Sequence, residues 1–162
     1  MFGPSLFDII CQEIQNWKPK TRYRSEEGYR DDLKEYLRKV LNTPPPFSIG
    51  QPPRHKVTSE SGRHLCDIAV DESIGVELKH NLKSRPQVDR LIGQVKRYLN
   101  YYSGIIVVAV GNMRDDIREE VRGRLGELLP RGLVSLAPQK RIAFVNKTEI
   151  VSKRPTSSPF GL

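Results

Sequence analysis

Apolar side chains in this chain follow two rhythms. One is a helical pattern of three- and four-residue steps, the other a set of short β-branched runs bounded by turn formers, and their order outlines a fold. Within residues 25–41, Tyr29, Leu33, Tyr36, Leu37, Val40 and Leu41 recur at helical steps, with Ser25 placed to cap the first turn. A further helix is expected over residues 84–102, entered through Ser84-Arg85-Pro86 with proline in its first turn. It turns Val88, Leu91, Ile92, Val95, Leu99 and Tyr102 inward. Residues 5–17 predict an N-terminal helix, and Asp115-Asp116 opens another that ends near Pro130, with Ile117, Val121, Leu125 and Leu128 inward. Between glycines, the run of residues 104–111 is apolar throughout, as in a central strand buried on both faces. Residues 141–145 supply one more strand.

Two apolar runs differ from the rest because charges interrupt them: His64-Leu65-Cys66-Asp67-Ile68-Ala69-Val70 and Ile74-Gly75-Val76-Glu77-Leu78-Lys79. Asp71-Glu72-Ser73 between them predicts an antiparallel hairpin with a three-residue loop centred on Glu72. Val70 then lies opposite Ile74, Ile68 opposite Val76, and Asp67 opposite Glu77, with Lys79 on the same face by the strand period of two. Cys66, Ile68, Val70, Ile74, Val76 and Leu78 make up the other, apolar face. Directly opposed residues have Cβ atoms roughly 4.5–5.5 Å apart, so Asp67 and Glu77 repel each other unless a cation lies between them or one is protonated. Oxygen ligation of this kind, completed by a backbone carbonyl such as that of Leu78 and by waters, suits Mg²⁺ or Mn²⁺ better than zinc. A cation there would activate a water and stabilise charge on a phosphate, with Lys79 beside it. The structural alternative is an amphipathic hairpin with a solvated face and an ordinary Glu-x-Lys.

Asp67 followed by Glu77-Leu78-Lys79 on the next strand resembles the PD-(D/E)xK nuclease superfamily, with Cys66 standing where the motif's name has proline. The resemblance implies that Asp67 and Glu77 hold the metal and that Lys79 assists the water. It further implies that an acidic residue from a preceding helix completes the site. With Leu33 at the centre of the inward face, Glu26 falls about 20° from that centre at 100° per residue, which makes it the candidate third carboxylate, with Glu27 as the alternative. A glutamate in a first helical turn is also explained by the helix dipole alone. Gln94 and Tyr98, one turn apart after the lysine, are similar to the Gln-x-x-x-Tyr motif of RecB-like exonucleases in the same superfamily, where such a pair orients substrate or the lysine. The element order is a helix, a β-meander containing the acidic hairpin, then helix, strand, helix, strand. It predicts an α/β fold with a mixed sheet covered on both sides. The resemblance makes this a restriction-endonuclease-like three-layer α/β/α core spanning roughly residues 25–145.

Composition narrows the picture further. A chain of 162 residues accommodates one domain, expected over residues 1–146 with its core from about 25, followed by a loosely ordered basic tail over 147–162. Residues 42–53, rich in proline, predict a semi-rigid loop beside the site. No apolar run reaches the ~18 residues of a membrane span, and Asp8, Gln12 and Glu13 interrupt any signal-peptide core. Cys11 and Cys66 have no metal-ligand spacing, and a reducing, intracellular (cytoplasmic) setting is expected. The histidines His55, His64 and His80 have none either, and His80 is expected at the surface.

A net charge of +8 on a protein with an acidic site suits a polyanionic substrate plus a cation. Lys18, Lys20, Arg22 and Arg24, interleaved with Tyr23, precede the Glu26 helix, and Arg54-His55-Lys56 with Arg63-His64 flank the hairpin. Of these, Lys20, Arg22, Arg24 and Arg63 are the candidate substrate contacts. Arg114, Arg118 and Arg122 lie among acids at helical spacing, as on an ion-paired solvated face. No zinc finger or RRM signature is present, so phosphate tracking is expected rather than base reading. The expected activity is Mg²⁺- or Mn²⁺-dependent hydrolysis of phosphodiester bonds in nucleic acid, foremost DNA, with a homodimer for two-fold or four-way substrates. Its alternatives are a catalytically silent nucleic-acid-binding module on the same fold and a structural or assembly subunit.

Overall fold

Serine ends the approach segments of three of the four described helices, and these helices begin where those serines place them. Ser5 caps α1 (Leu6–Asn16), its hydroxyl accepting from the Asp8 amide while the Asp8 carboxylate returns to the Ser5 amide. Ser25 caps α2 (Glu26–Asn42) by accepting from the Gly28 amide. At α3 (Arg85–Tyr98) the Ser84 amide donates to Gln87 Oε1, with Pro86 in the first turn. Helix α4 (Asp115–Glu127) opens on its two aspartates. The computed structural model describes residues 3–51, 54–59, 65–129 and 139–148.

The strands are β1 (Val57–Ser59), β2 (Ile68–Val70), β3 (Ile74–His80), β4 (Gly104–Gly111) and β5 (Arg141–Thr148). They form one mixed sheet in the order β1-β2-β3-β4-β5, antiparallel from β1 to β3 and parallel from β3 to β5. Val70 pairs with Ile74 and Ile68 with Val76, the register expected from a three-residue loop. Asp71 and Glu72 hold positive φ angles of 51° and 57° there. The Asp71 carboxylate offsets that strain by accepting from the Lys56 amide and pairing with His55 Nδ1, both at 2.7 Å.

Alternate strand residues divide the core. Ile68, Val70, Ile74, Val76, Leu78, Ile106, Val108 and Val110 pack with α1 and α2. Ala69, Ile105 and Val107 pack with α3 and α4 on the opposite face. Strand β4 is buried along both faces, as its unbroken apolar run requires. The protein is therefore a mixed α/β fold with a central sheet between two helical layers. None of its described helices is long and apolar enough to cross a membrane.

Four expectations are corrected. Helix α3 stops at Tyr98 rather than at 102, because the chain tightens into turns there (Asn100 N to Arg97 O, 3.1 Å; Tyr101 N to Tyr98 O, 2.9 Å). Tyr102 remains buried all the same. Strand β5 runs on to Thr148, which pairs with Gly111, so the expected tail starts inside the sheet; residues 149–162 lie outside the described residues. Cys66 packs with the α3 layer rather than beside Ile68. Regular pairing begins only at Ile68, and the missing side chain of Gly75 leaves the space that the Cys66 thiol fills. Lastly, the proline-rich connection is remote from Glu26. Its described residues, up to 51, follow the C-terminus of α2, a helix of 17 residues and hence about 25 Å long, and the Asn42 side chain there bonds His55, which pairs with Asp71 of the hairpin turn.

Candidate active site

Beyond the reach of β2, Asp67 turns back onto β3, and its Oδ2 accepts from the Leu78 amide at 2.8 Å. That single bond aims the carboxylate at the stretch of β3 carrying Glu77 and Lys79. Glu77 is 2 % exposed, an unusual burial for a carboxylate. Its Oε1 lies 2.8 Å from Lys79 Nζ, while its Oε2 is buried with no hydrogen-bond partner. Glu26, the first residue of α2, completes the group. Its Oε2 accepts from the His80 amide at 3.2 Å and its Oε1 stands 3.6 Å from Lys79 Nζ. Glu27, the alternative, is exposed.

The electrostatics follow from this crowding. Burial, and after it the charge of Asp67, pushes Glu77 up to about 7, against the pull of Lys79. Asp67 is also raised, by burial, with the Leu78 amide and Lys79 opposing. Burial disfavours the Lys79 ammonium, yet Glu77 and Glu26 outweigh it and hold its pKa above the ordinary value. Tyr98, buried on α3, has its phenol raised by burial and then by the charge of Glu77. Burial, followed by the same carboxylates, keeps the Cys66 thiol protonated.

Gln94 stands one turn before Tyr98 with its Oε1 buried and without a partner. It lines a cleft of about 220 Å³ together with Glu26, Lys79, His80, Gln87 and Arg90. The expected residues Glu26, Lys79, Gln94 and Tyr98 thus gather around Glu77 and Asp67. Arg90 was not among them, although Arg90, Gln94 and Tyr98 follow one another at four-residue steps, which is the signal that would have found it. His80 departs from the expected surface position: it is half-buried, its ring 5.1 Å from that of Tyr29.

The basic candidates are distributed unevenly. Arg22 and Arg24 line a second cavity that shares His80 with the cleft. Lys20 instead pairs with Glu35 at 2.7 Å on the surface, and Arg63 lies outside the described residues. Arg54-His55-Lys56 is diverted to the hairpin turn, where His55 pairs with Asp71 and Lys56 with Glu72. Arg114, Arg118 and Arg122 pair with Asp116, Asp115 and Glu119.

Two of these features fit a hard cation: a buried carboxylate oxygen lacking any donor, and a second carboxylate raised beside it. Oxygens of Asp67 and Glu77 are the donors available, with Leu78 between Glu77 and Lys79 in the chain. Among the described residues no group of three or more His, Cys, Asp or Glu side chains stands close enough to hold an ion. Glu26 joins the pair through the Lys79 ammonium. The arrangement can therefore hold a proton or a cation at Glu77 and keep a positive charge beside it at the cleft. No family model, no curated protein and no solved structure matches the chain.

Proposed function

We propose that this protein is a Mg²⁺- or Mn²⁺-dependent nuclease of the PD-(D/E)xK type. On this reading it has a restriction-endonuclease-like core and hydrolyses phosphodiester bonds, foremost in DNA. The observation that carries the reading is Glu77, a buried carboxylate with one oxygen unpartnered, set beside Asp67 and beside the ammonium group of Lys79, which with Glu26 lines a cleft. A structural hairpin gains nothing from such a group, since burying a carboxylate with one oxygen left unpartnered is costly even beside Lys79. A cation site needs one.

Asp67 and Glu77 would hold the ion, with Glu26 contributing through water or through Lys79. The ion, when bound, supplies charge stabilisation at the phosphate oxygens and a water of lowered pKa. Lys79, whose ammonium group stands 2.8 Å from Glu77, would orient the attacking water and offset charge developing on the phosphate. In the hydrolysis the water oxygen would bond to phosphorus as it gives up a proton to solvent, the P–O ester bond opposite it would break, and the departing oxygen would take up a proton from solvent water. Gln94 and Arg90 line the wall against which the phosphate would lie, and Tyr98 is buried on the α3 side of the site.

The test is cleavage of plasmid and of linear and branched oligonucleotides with Mg²⁺ or Mn²⁺ against EDTA. Cleavage that requires the metal and vanishes in Glu77→Ala, with binding retained, supports the enzyme. A second reading, a catalytically silent nucleic-acid-binding module, is favoured by the way Lys79 already engages both Glu77 and Glu26. Binding without cleavage under either metal would select it. Absence of both would leave an assembly subunit.

A further inference from the structure

The larger cavity beside the cleft has no part in the chemistry above. It measures about 510 Å³, within the ~300–1,000 Å³ range of sites for small organic ligands. Arg22, Arg24 and Lys147 line it, and no carboxylate does among the described residues. The cavity opens beyond the C-terminal ends of the parallel strands β3 and β4, where open α/β sheets place ligands.

Its walls are held in place. Asp32, buried on α2, accepts from Trp17 Nε1 at 3.1 Å, from the Lys20 amide at 2.7 Å and from the Tyr23 hydroxyl at 2.8 Å. These three bonds tie residues 17–23 to the helix and set Arg22 and Arg24 at the rim. The Tyr23 ring meets that of Tyr29 edge-on at 5.2 Å. The floor stays open because position 111 is glycine at φ +79°, where an added Cβ would run into Asn81 Oδ1 and the His80 ring. Lys147 Nζ donates to the Gln15 carbonyl, which fixes its charge at the far side.

We propose that this cavity is a subsite for one nucleotide of the bound strand, its phosphate held by Arg22 and Arg24 and its sugar and base against the rings of Tyr23 and His80. The proposal rests on the nuclease reading, because His80 lines both cavities and so makes this nucleotide the neighbour of the one under attack. Guanidinium groups suit the phosphate through charge-assisted, bidentate bonds. Aromatic walls suit the base without selecting its sequence.

The test is a two-dimensional NMR titration of the full chain in EDTA with deoxynucleoside 5′-monophosphates and, separately, with inorganic phosphate. Saturable shifts are expected at residues 22–24, 81 and 112, with the mononucleotide binding more tightly than phosphate. Arg22→Ala/Arg24→Ala should weaken the mononucleotide by about tenfold or more. Asn112→Trp, a bulky side chain on an exposed position at the rim, should block it while circular dichroism remains that of the parent. Shifts elsewhere, equal affinity for phosphate and mononucleotide, or unchanged binding in both variants would each overturn the subsite. Failure of the nuclease reading is distinguishable. Mononucleotide binding here with no metal-dependent cleavage by the parent removes the enzyme and leaves the pocket, whereas cleavage undiminished in both variants removes the pocket and leaves the enzyme.

Discussion

At Glu77 a proton and a cation compete for the same oxygens, and that competition gives a pH dependence with a definite sign. Because burial and Asp67 lift Glu77 from its ordinary 4.5 to about 7, the folded chain binds the proton more tightly than the unfolded chain does. The associated stability is fully present below the unfolded value and is lost as pH rises through the folded one. With each pKa unit equivalent to about 1.4 kcal/mol, the metal-free protein should lose on the order of 3–4 kcal/mol across that window. Urea unfolding in EDTA checks this, with Glu77→Gln as the control that reduces the slope, Asp67 being raised by burial as well; an identical slope in the variant would refute the assignment. Asp71 contributes the opposite trend, since its His55 and Lys56 partners hold its pKa down against burial, and it is common to parent and variant. Lys79→Met keeps the aliphatic stem and removes the charge. It should lower kcat by about 10²–10³-fold, the loss typical of one electrostatic stabiliser, while nucleic-acid affinity changes little. Gln94→Met tests the unpartnered amide oxygen: a thermal midpoint at or above that of the parent, with reduced kcat/KM, would mark a side chain kept for the substrate rather than for packing.

Among the elements, β3 carries most of the site and depends on one small residue. An added methyl at Gly75 meets the buried Cys66 thiol and the Tyr102 ring, and neither can retreat into solvent. Gly75→Ala is expected to destabilise by about 1–3 kcal/mol, the usual cost of overpacking, and to disturb Asp67 through the displaced Cys66. Thermal denaturation and the Glu77 pH profile measure the two effects separately. Strand periodicity foretold the hairpin register and the shared face of Glu77 and Lys79. It misplaced Cys66, because the period of two holds only where a strand is regular, and β2 begins at Ile68. In the same way, helical periodicity ran past the end of α3, since Leu99 and Tyr102 are apolar whether the backbone there is helix or turn. The segment before α2 offered only a basic composition. Its shape comes from Asp32, and Asp32→Ala should loosen residues 17–23, cost on the order of 2–4 kcal/mol by orphaning buried donors, and weaken mononucleotide binding as the arginine pair does.

For the whole molecule, the net positive charge is less informative than where the basic side chains stand. The α4 arginines pair with acids of their own helix, and Arg22 and Arg24 stand at the rim of a cavity that no carboxylate of the described residues lines. Each phosphate contact removed lowers the salt slope of binding by about 1, so Arg22→Ala/Arg24→Ala should reduce it by about 2. Arg118→Ala/Arg122→Ala should leave it nearly unchanged. Binding isotherms at several salt concentrations read both, and an equal reduction by the two pairs would show that only overall charge matters. From the chain alone came the number and order of the helices, the two-faced central strand, the turn of the acidic hairpin, and the grouping of Asp67, Glu77 and Lys79. These are consequences of local periodicity, which ties side-chain direction to residue number. Tertiary structure alone decided that Lys79 bridges Glu77 and Glu26, that the Glu26 carboxylate reaches the amide of His80 across 54 residues, and that a basic segment and three strand ends enclose one cavity. Those outcomes depend on distances between elements remote in the chain, and no rhythm of neighbouring residues encodes them.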